Sequence, residues 1–140
     1  TQVNAINNDT TKIGYLYQVY KLYKDGNDAT NAQRILDSFD KDHLALLGKK
    51  LIGDMDYEGS VEIHKTLIEK YPDASDLDKA YFLIGFTYSE NMGDKEKAKE
   101  YFQTIMDKYP ESELADDAEW MILNMDKEDI TFITDEKQDQ

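Results

Sequence analysis

Thr66-Leu67-Ile68-Glu69-Lys70-Tyr71-Pro72 is answered 38 residues later by Thr104-Ile105-Met106-Asp107-Lys108-Tyr109-Pro110. These two prolines are the only ones in the chain. The correspondence continues beyond them, since Asp78 and Ala80 meet Asp116 and Ala118 at the same separation. Where the residues differ, as between Leu67-Ile68-Glu69 and Ile105-Met106-Asp107, shape or charge is kept. A period of this length marks supersecondary units that stack, because a single unit cannot bury its apolar face alone.

Working outward from this repeat, apolar residues recur at spacings of three and four, and no segment alternates with period two for more than a few residues. Ile13, Leu16, Tyr17, Tyr20 and Tyr23 predict a helix that begins at Thr10 or Thr11 and ends at Asp25-Gly26-Asn27-Asp28. Asn27 or Asp28 is placed to cap a second helix, striped by Ala29, Ala32, Ile35, Leu36 and Phe39. A third starts at Asp40 or Asp42 and carries Leu44, Leu47, Gly48 and Leu51. After the break at Gly53-Asp54-Met55-Asp56, a fourth carries Tyr57, Val61, His64, Leu67, Ile68 and Tyr71 and stops at Pro72. Ser75 with Asp78 resembles a capping box that opens a fifth helix, Asp76 to Glu90. A sixth runs to Tyr109 through Ala98, Tyr101, Phe102, Ile105 and Met106, and Ser112 caps a seventh through Met121 and Ile122. An eighth is expected through Ile130 and Ile133.

The expected fold is all-α, an α-solenoid of about four antiparallel helix pairs. Its parts are a flexible leader (1–9), a single helical-repeat domain (10–134) and a polar tail (135–140). Within the domain, 10–40 form a capping pair, 42–72 and 76–110 are repeats, and 112–134 a truncated capping pair.

The segment Ala80 to Pro110 resembles a tetratricopeptide repeat. Tyr81, Ile84, Gly85 and Tyr88 stand in the first helix, and Ala98, Phe102, Ile105 and the closing Pro110 in the second. Gly85 and Ala98 are small because two helices cross closely there, with Phe102 and Tyr88 filling the space beside the crossing. One residue more than usual falls in the Asn91–Gly93 turn. The preceding unit matches more loosely, with Gly48, Leu51, Ser60, Leu67 and Pro72 in place and His64 instead of the large aromatic. The pair Leu16 to Phe39 has Tyr20 where glycine is expected. The long loop after each Tyr-Pro is similar to the repeats of bacterial envelope proteins, the Tol-Pal coordinator family and outer-membrane assembly lipoproteins. Gly85-Phe86-Thr87-Tyr88-Ser89-Glu90-Asn91 and Leu114-Ala115-Asp116-Asp117-Ala118 also resemble small repeat lipoproteins of the Bacteroidetes group. The resemblance implies a periplasmic, non-catalytic scaffold. The start at Thr1 rather than Met adds the expectation of a removed upstream segment, a signal peptide or lipid anchor among the candidates.

Composition narrows the function classes. With 30 acidic against 16 basic residues the formal net charge is −14, which repels phosphate backbones and anionic lipid surfaces. Nucleic acid is therefore not an expected partner, and the charge is left to serve either a basic protein or peptide partner or simple solubility. There are no cysteines, so disulfides and thiolate chemistry are excluded. No run approaches a membrane span.

Chemical motifs are sparse. Asp54, Asp56, Glu58 and Gly59 imitate the start of a calcium loop, but Lys65 stands where the bidentate acid belongs. Neither His43 nor His64 has a helical i, i+4 histidine partner, and His64 reads as a partly buried, hydrogen-bonded packing residue. Asp116 and Asp117 point in different directions as helix neighbours, so they form no acid–base pair. No cofactor, metal or catalytic residue is expected. The informative feature is a second apolar face. Phe82, Phe86 and Trp120, with Lys49 and Asn124 in the places matching Phe86 and Tyr17 and Lys21 at the groove's start, are the candidate lining of a concave groove that binds a protein or peptide. The competing reading is that the three aromatics only pack between helices. A cytoplasmic adaptor, co-chaperone-like in character, and an accessory domain of an envelope enzyme are the alternative functions.

Overall fold

The computed structural model describes the backbone over residues 2–127 and the side chains over residues 9–127. The described residues form seven α-helices and no strand: α1 (Gln2–Asp25), α2 (Ala29–Asp37), α3 (Lys41–Gly53), α4 (Tyr57–Lys70), α5 (Leu77–Phe86), α6 (Lys95–Lys108) and α7 (Glu113–Asn124). The class is all-α, built from antiparallel pairs of the α-solenoid kind: α1–α2, α3–α4 and α5–α6, with α7 opening a fourth. The expected eighth helix and the tail after residue 134 lie outside the described residues.

The chain divides into two compact units at the first Tyr-Pro, Thr1–Tyr71 and Pro72–Gln140. In the first, α1 packs on α2 and α3, and α3 on α4. In the second, α5, α6 and α7 all pack on one another. Each unit has its own buried residues, among them Leu44, Leu47 and Ile63 in the first and Ile84, Phe102 and Ile105 in the second.

The turns inside the pairs repeat one design. Asn27, Met55 and Gly93 take left-handed backbone angles, with φ of 61°, 61° and 67°. Each is followed by an aspartate, Asp28, Asp56 or Asp94, whose carboxylate accepts from the backbone N–H three residues on. The left-handed residue ends one helix and the aspartate satisfies an orphan donor of the next. Met55 adopts this conformation without the freedom of glycine, while glycine meets the same requirement at Gly93.

The helix crossings also repeat. A Cβ built on Gly85 would lie 2.8 Å from the Phe102 ring, and one on Gly48 would lie 2.6 Å from Nε2 of His64. In each pair a ring from the second helix therefore rests on bare backbone of the first. Phe102 and Ala98 are fully buried, as the close crossing requires. In α1–α2 the sizes are exchanged, with buried Tyr20 in the glycine place and Leu36 in the ring's place.

Three local expectations are corrected. Helix α1 begins at Gln2 rather than Thr10, so the helix runs through the stretch expected to be a leader. No glycine or proline interrupts residues 2–13, and extending an existing helix is easier than nucleating one. Asp76, not Ser75, precedes α5, and no side chain caps it. Asp78 instead accepts from the Ser112 hydroxyl at 2.6 Å, a tertiary bond between the starts of α5 and α7. The extra residue expected in the Asn91–Gly93 turn is taken up one turn earlier, by a π-helical turn over Thr87–Asn91. A π turn is the form a one-residue insertion takes when the helix axis is kept. Within it, the Thr87 hydroxyl is buried with no hydrogen-bond partner among the described residues.

Candidate functional site

The candidate residues divide between the two units. In the second unit, Phe82 and Phe86 lie one turn apart on α5 with ring centroids 6.4 Å apart. Phe82 is half-buried, its ring 5.4 Å from that of Phe102 beneath it. Phe86 is 39% exposed and Trp120, at the α7 position matching Phe82, is 60% exposed. The two readings of the aromatics thus separate by residue. Phe82 packs on the core, while Phe86 and Trp120 present ring surface to solvent. The Asn124 carboxamide donates to the Trp120 carbonyl at 2.8 Å, so it braces its own helix.

In the first unit, Tyr17 departs from its expected place. It is 2% exposed, its ring stacks on Tyr20 at 5.7 Å, and its hydroxyl donates to Asp56 at 3.3 Å. Tyr17 is therefore core rather than groove lining. The missing side chain of Gly59 leaves the room for its hydroxyl at the start of α4. Lys21 stands 3.8 Å from the same Asp56 carboxylate and 5.9 Å over the Tyr17 ring. Lys49 is exposed on α3.

The same unit holds a polar cluster that sequence spacing does not announce. The Tyr20 hydroxyl donates to Glu62 at 2.5 Å, and Lys24 donates to both oxygens of that carboxylate at 3.0 Å. Burial, then the neighbouring Asp56 and Glu62 carboxylates, push the Tyr17 hydroxyl far above the ordinary tyrosine range. Burial and the Glu62 bond do the same for Tyr20. Both hydroxyls therefore stay protonated and act as donors. Partners 39 and 42 residues apart have no local signal that finds them.

His64 is buried more fully than expected, at 2% exposure. Its Nδ1 lies 2.9 Å from the Ser60 carbonyl, an acceptor, which assigns the proton to Nδ1. The Ser60 hydroxyl donates to the Gly48 carbonyl at 2.7 Å. Burial holds the imidazole below its ordinary 6.5, opposed by the Ser60 bond and aided by Lys49. His43 forms a capping box with Asp40 at the start of α3.

The acids of the calcium-like loop have structural occupations. Asp54 accepts from Lys50 at 2.6 Å and Asp56 from the Gly59 backbone at 3.0 Å. Among the described residues, no group of three or more histidines and acids is arranged to hold a metal. No described helix is long and apolar enough to cross a membrane. What the described surface offers chemically is apolar contact area, with Tyr15, Leu22 and Met55 exposed in the first unit and Phe86, Trp120 and Leu123 in the second.

Residues 79–112 match the Tetratricopeptide repeat family. The matched stretch spans most of α5, the π turn, α6 and Ser112. No curated protein matches the chain. The repeat that includes Gly85, Ala98 and Phe102, from the second unit's core to the Tyr-Pro that closes α6, is similar to a tetratricopeptide repeat.

Proposed function

We propose that this chain is a non-catalytic scaffold that binds a protein or peptide through the exposed aromatic face of α5 and α7. One observation carries the reading. Phe86 and Trp120 keep 39% and 60% of their surface in solvent on helices whose other sides supply the core. Aromatic rings of this kind provide much of the energy of protein interfaces, and exposing them without a partner is unfavourable. Tetratricopeptide repeats generally serve protein–protein interaction, which supports the same reading for residues 79–112.

The resemblance of the loops after Tyr71-Pro72 and Tyr109-Pro110 to envelope repeats supports a place in the bacterial cell envelope, with a lipid anchor upstream. Fractionation of cells expressing the full gene is expected to recover the protein with the periplasm or membranes. Recovery in the cytosol would favour the adaptor reading instead.

The binding proposal is tested by crosslinking and pulldown from the native cell. Phe86→Ala and Trp120→Ala are the informative variants, because Phe82→Ala would also remove support from Phe102. Both are expected to melt like the parent and to lose the crosslinked partner. A partner retained by both folded variants refutes the aromatic face as the binding surface.

A further inference from the structure

We propose that the outer face of α7 docks a cationic amphipathic helix of a partner protein, with Trp120 and Leu123 as apolar anchors and Asp116, Asp117 and Glu119 selecting its charge. The proposal rests on the protein-binding reading, with which it shares Trp120, and adds the chemistry of the partner.

Helix α7 repeats α5 at the 38-residue offset, so the two can be compared position by position. On α5, Gly85 is covered by the Phe102 ring of α6. The same register of α7 holds Leu123, which is 58% exposed and covered by no described element. A helix crossing α7 as α6 crosses α5 would meet a leucine side chain where even a lone Cβ would come within 2.8 Å of the ring. The register is thus built differently from one that receives a repeat helix at that distance. Tyr81, whose ring lies 6.0 Å from that of Tyr109, becomes Glu119 on α7. A ring that packs against a neighbouring ring has been exchanged for a solvent-facing carboxylate.

Asp116 and Asp117 precede Trp120 by four and three residues, and Leu123 follows it by three. Residues so spaced are neighbours on one helix surface. Asp116, Asp117 and Glu119 are all exposed and none forms an ion pair with a described residue. Helix α7 contains no lysine or arginine. An apolar pair bordered by unpaired carboxylates fits a helix that carries leucine-like side chains beside Lys or Arg. Apolar contact supplies the affinity, while the acids set the sign of the partner and speed its encounter. A second copy of this chain is a poorer occupant, since two such faces would set carboxylates against carboxylates on chains of net charge −14.

Trp120 is the only tryptophan, so its fluorescence reports this face alone in the full chain. The probe is a tryptophan-free amphipathic helix of leucine and lysine. Its controls are a lysine–serine peptide of equal charge and a leucine–glutamate helix. In the chain alone, acrylamide is expected to quench Trp120 freely. The leucine–lysine helix is expected to shift and shield the emission saturably, with neither control doing so. Leu123→Ser and the Asp116→Asn, Asp117→Asn double variant are expected to weaken it by about tenfold or more. Leu22→Ala, at an exposed apolar residue of α1, is expected to leave it unchanged. Equal binding of the lysine–serine peptide, or unchanged affinity in Leu123→Ser, overturns the proposal. So does a Trp120 already shielded in the chain alone. Shielding that grows with protein concentration identifies a second copy as the occupant, and constant shielding identifies the chain's own residues. Retention of the native partner in Phe86→Ala bears only on the protein-binding reading, so the two failures are distinguishable.

Discussion

Gly85 and His64 show how much one side chain decides at a helix crossing. Gly85→Leu would drive atoms into the Phe102 ring and should cost about 1–3 kcal/mol or more. Phe102→Ala should leave a cavity in the same place and cost about 3–5 kcal/mol. Denaturant melts of both variants check this, and parent-like midpoints would contradict the crossing. His64 makes the equivalent contact with Gly48 but adds a proton-binding site. Because burial lowers its affinity for a proton, its contribution to stability is fully present above pH 6.5. That contribution declines as pH falls below 6.5, where the unfolded chain takes up a proton that folded His64 resists. The double variant His64→Phe, Ser60→Ala reproduces the Phe102 and Ala98 arrangement. It should stay folded, lie within about 1.5 kcal/mol of the parent at neutral pH, and lose part of the acid-side decline. Melting midpoints on either side of pH 6.5 for parent and variant provide the comparison.

At the scale of an element, the π turn over Thr87–Asn91 is the main irregularity. It keeps the ring-on-glycine crossing of α5 and α6 in register despite one residue more between Gly85 and Asp94 than between Gly48 and Asp56. In the same turn the Thr87 hydroxyl is buried with no hydrogen-bond partner among the described residues. Burying such a group is unfavourable, and removing it sacrifices no hydrogen bond. Thr87→Val, close in shape, should therefore match the parent or exceed it by about 1 kcal/mol in chemical denaturation. A loss of more than about 1 kcal/mol would mean that the hydroxyl has a bonding role.

Across the whole molecule, net charge acts on every element at once. Thirty acids against sixteen bases set a net charge of −14, and the resulting self-repulsion opposes compactness. Added sodium chloride screens this repulsion more than it weakens exposed pairs such as Lys24–Glu62, whose short-range contact carries little energy in water. The thermal midpoint should therefore rise as salt increases from low to moderate concentration. A falling midpoint would show that ion pairs contribute more than the net charge subtracts.

The helices, their order and most of their turns were legible in the sequence because they depend on local chemistry. Asp28, Asp40 and Ser112 cap where their side chains reach the next helical turn, and Pro72 and Pro110 follow helices they cannot continue. The close approach at Gly85 was legible too, because the 38-residue repeat places a small residue opposite a ring in a known helical pair. The site was less legible. Helical spacing placed Tyr17, Phe82, Phe86 and Trp120 on related faces, but not their exposure. Spacing gives the direction of a side chain, whereas exposure depends on what arrives from elsewhere in the chain. The Phe102 ring half-covers Phe82, while Phe86 and Trp120 stay open. Asp56, 39 residues away, and Gly59 enclose the Tyr17 hydroxyl. The sequence by itself determined the all-α class, the repeat and the caps. Only the tertiary structure decided which aromatic rings were core and which were surface, because burial is a property of packed neighbours rather than of residue order.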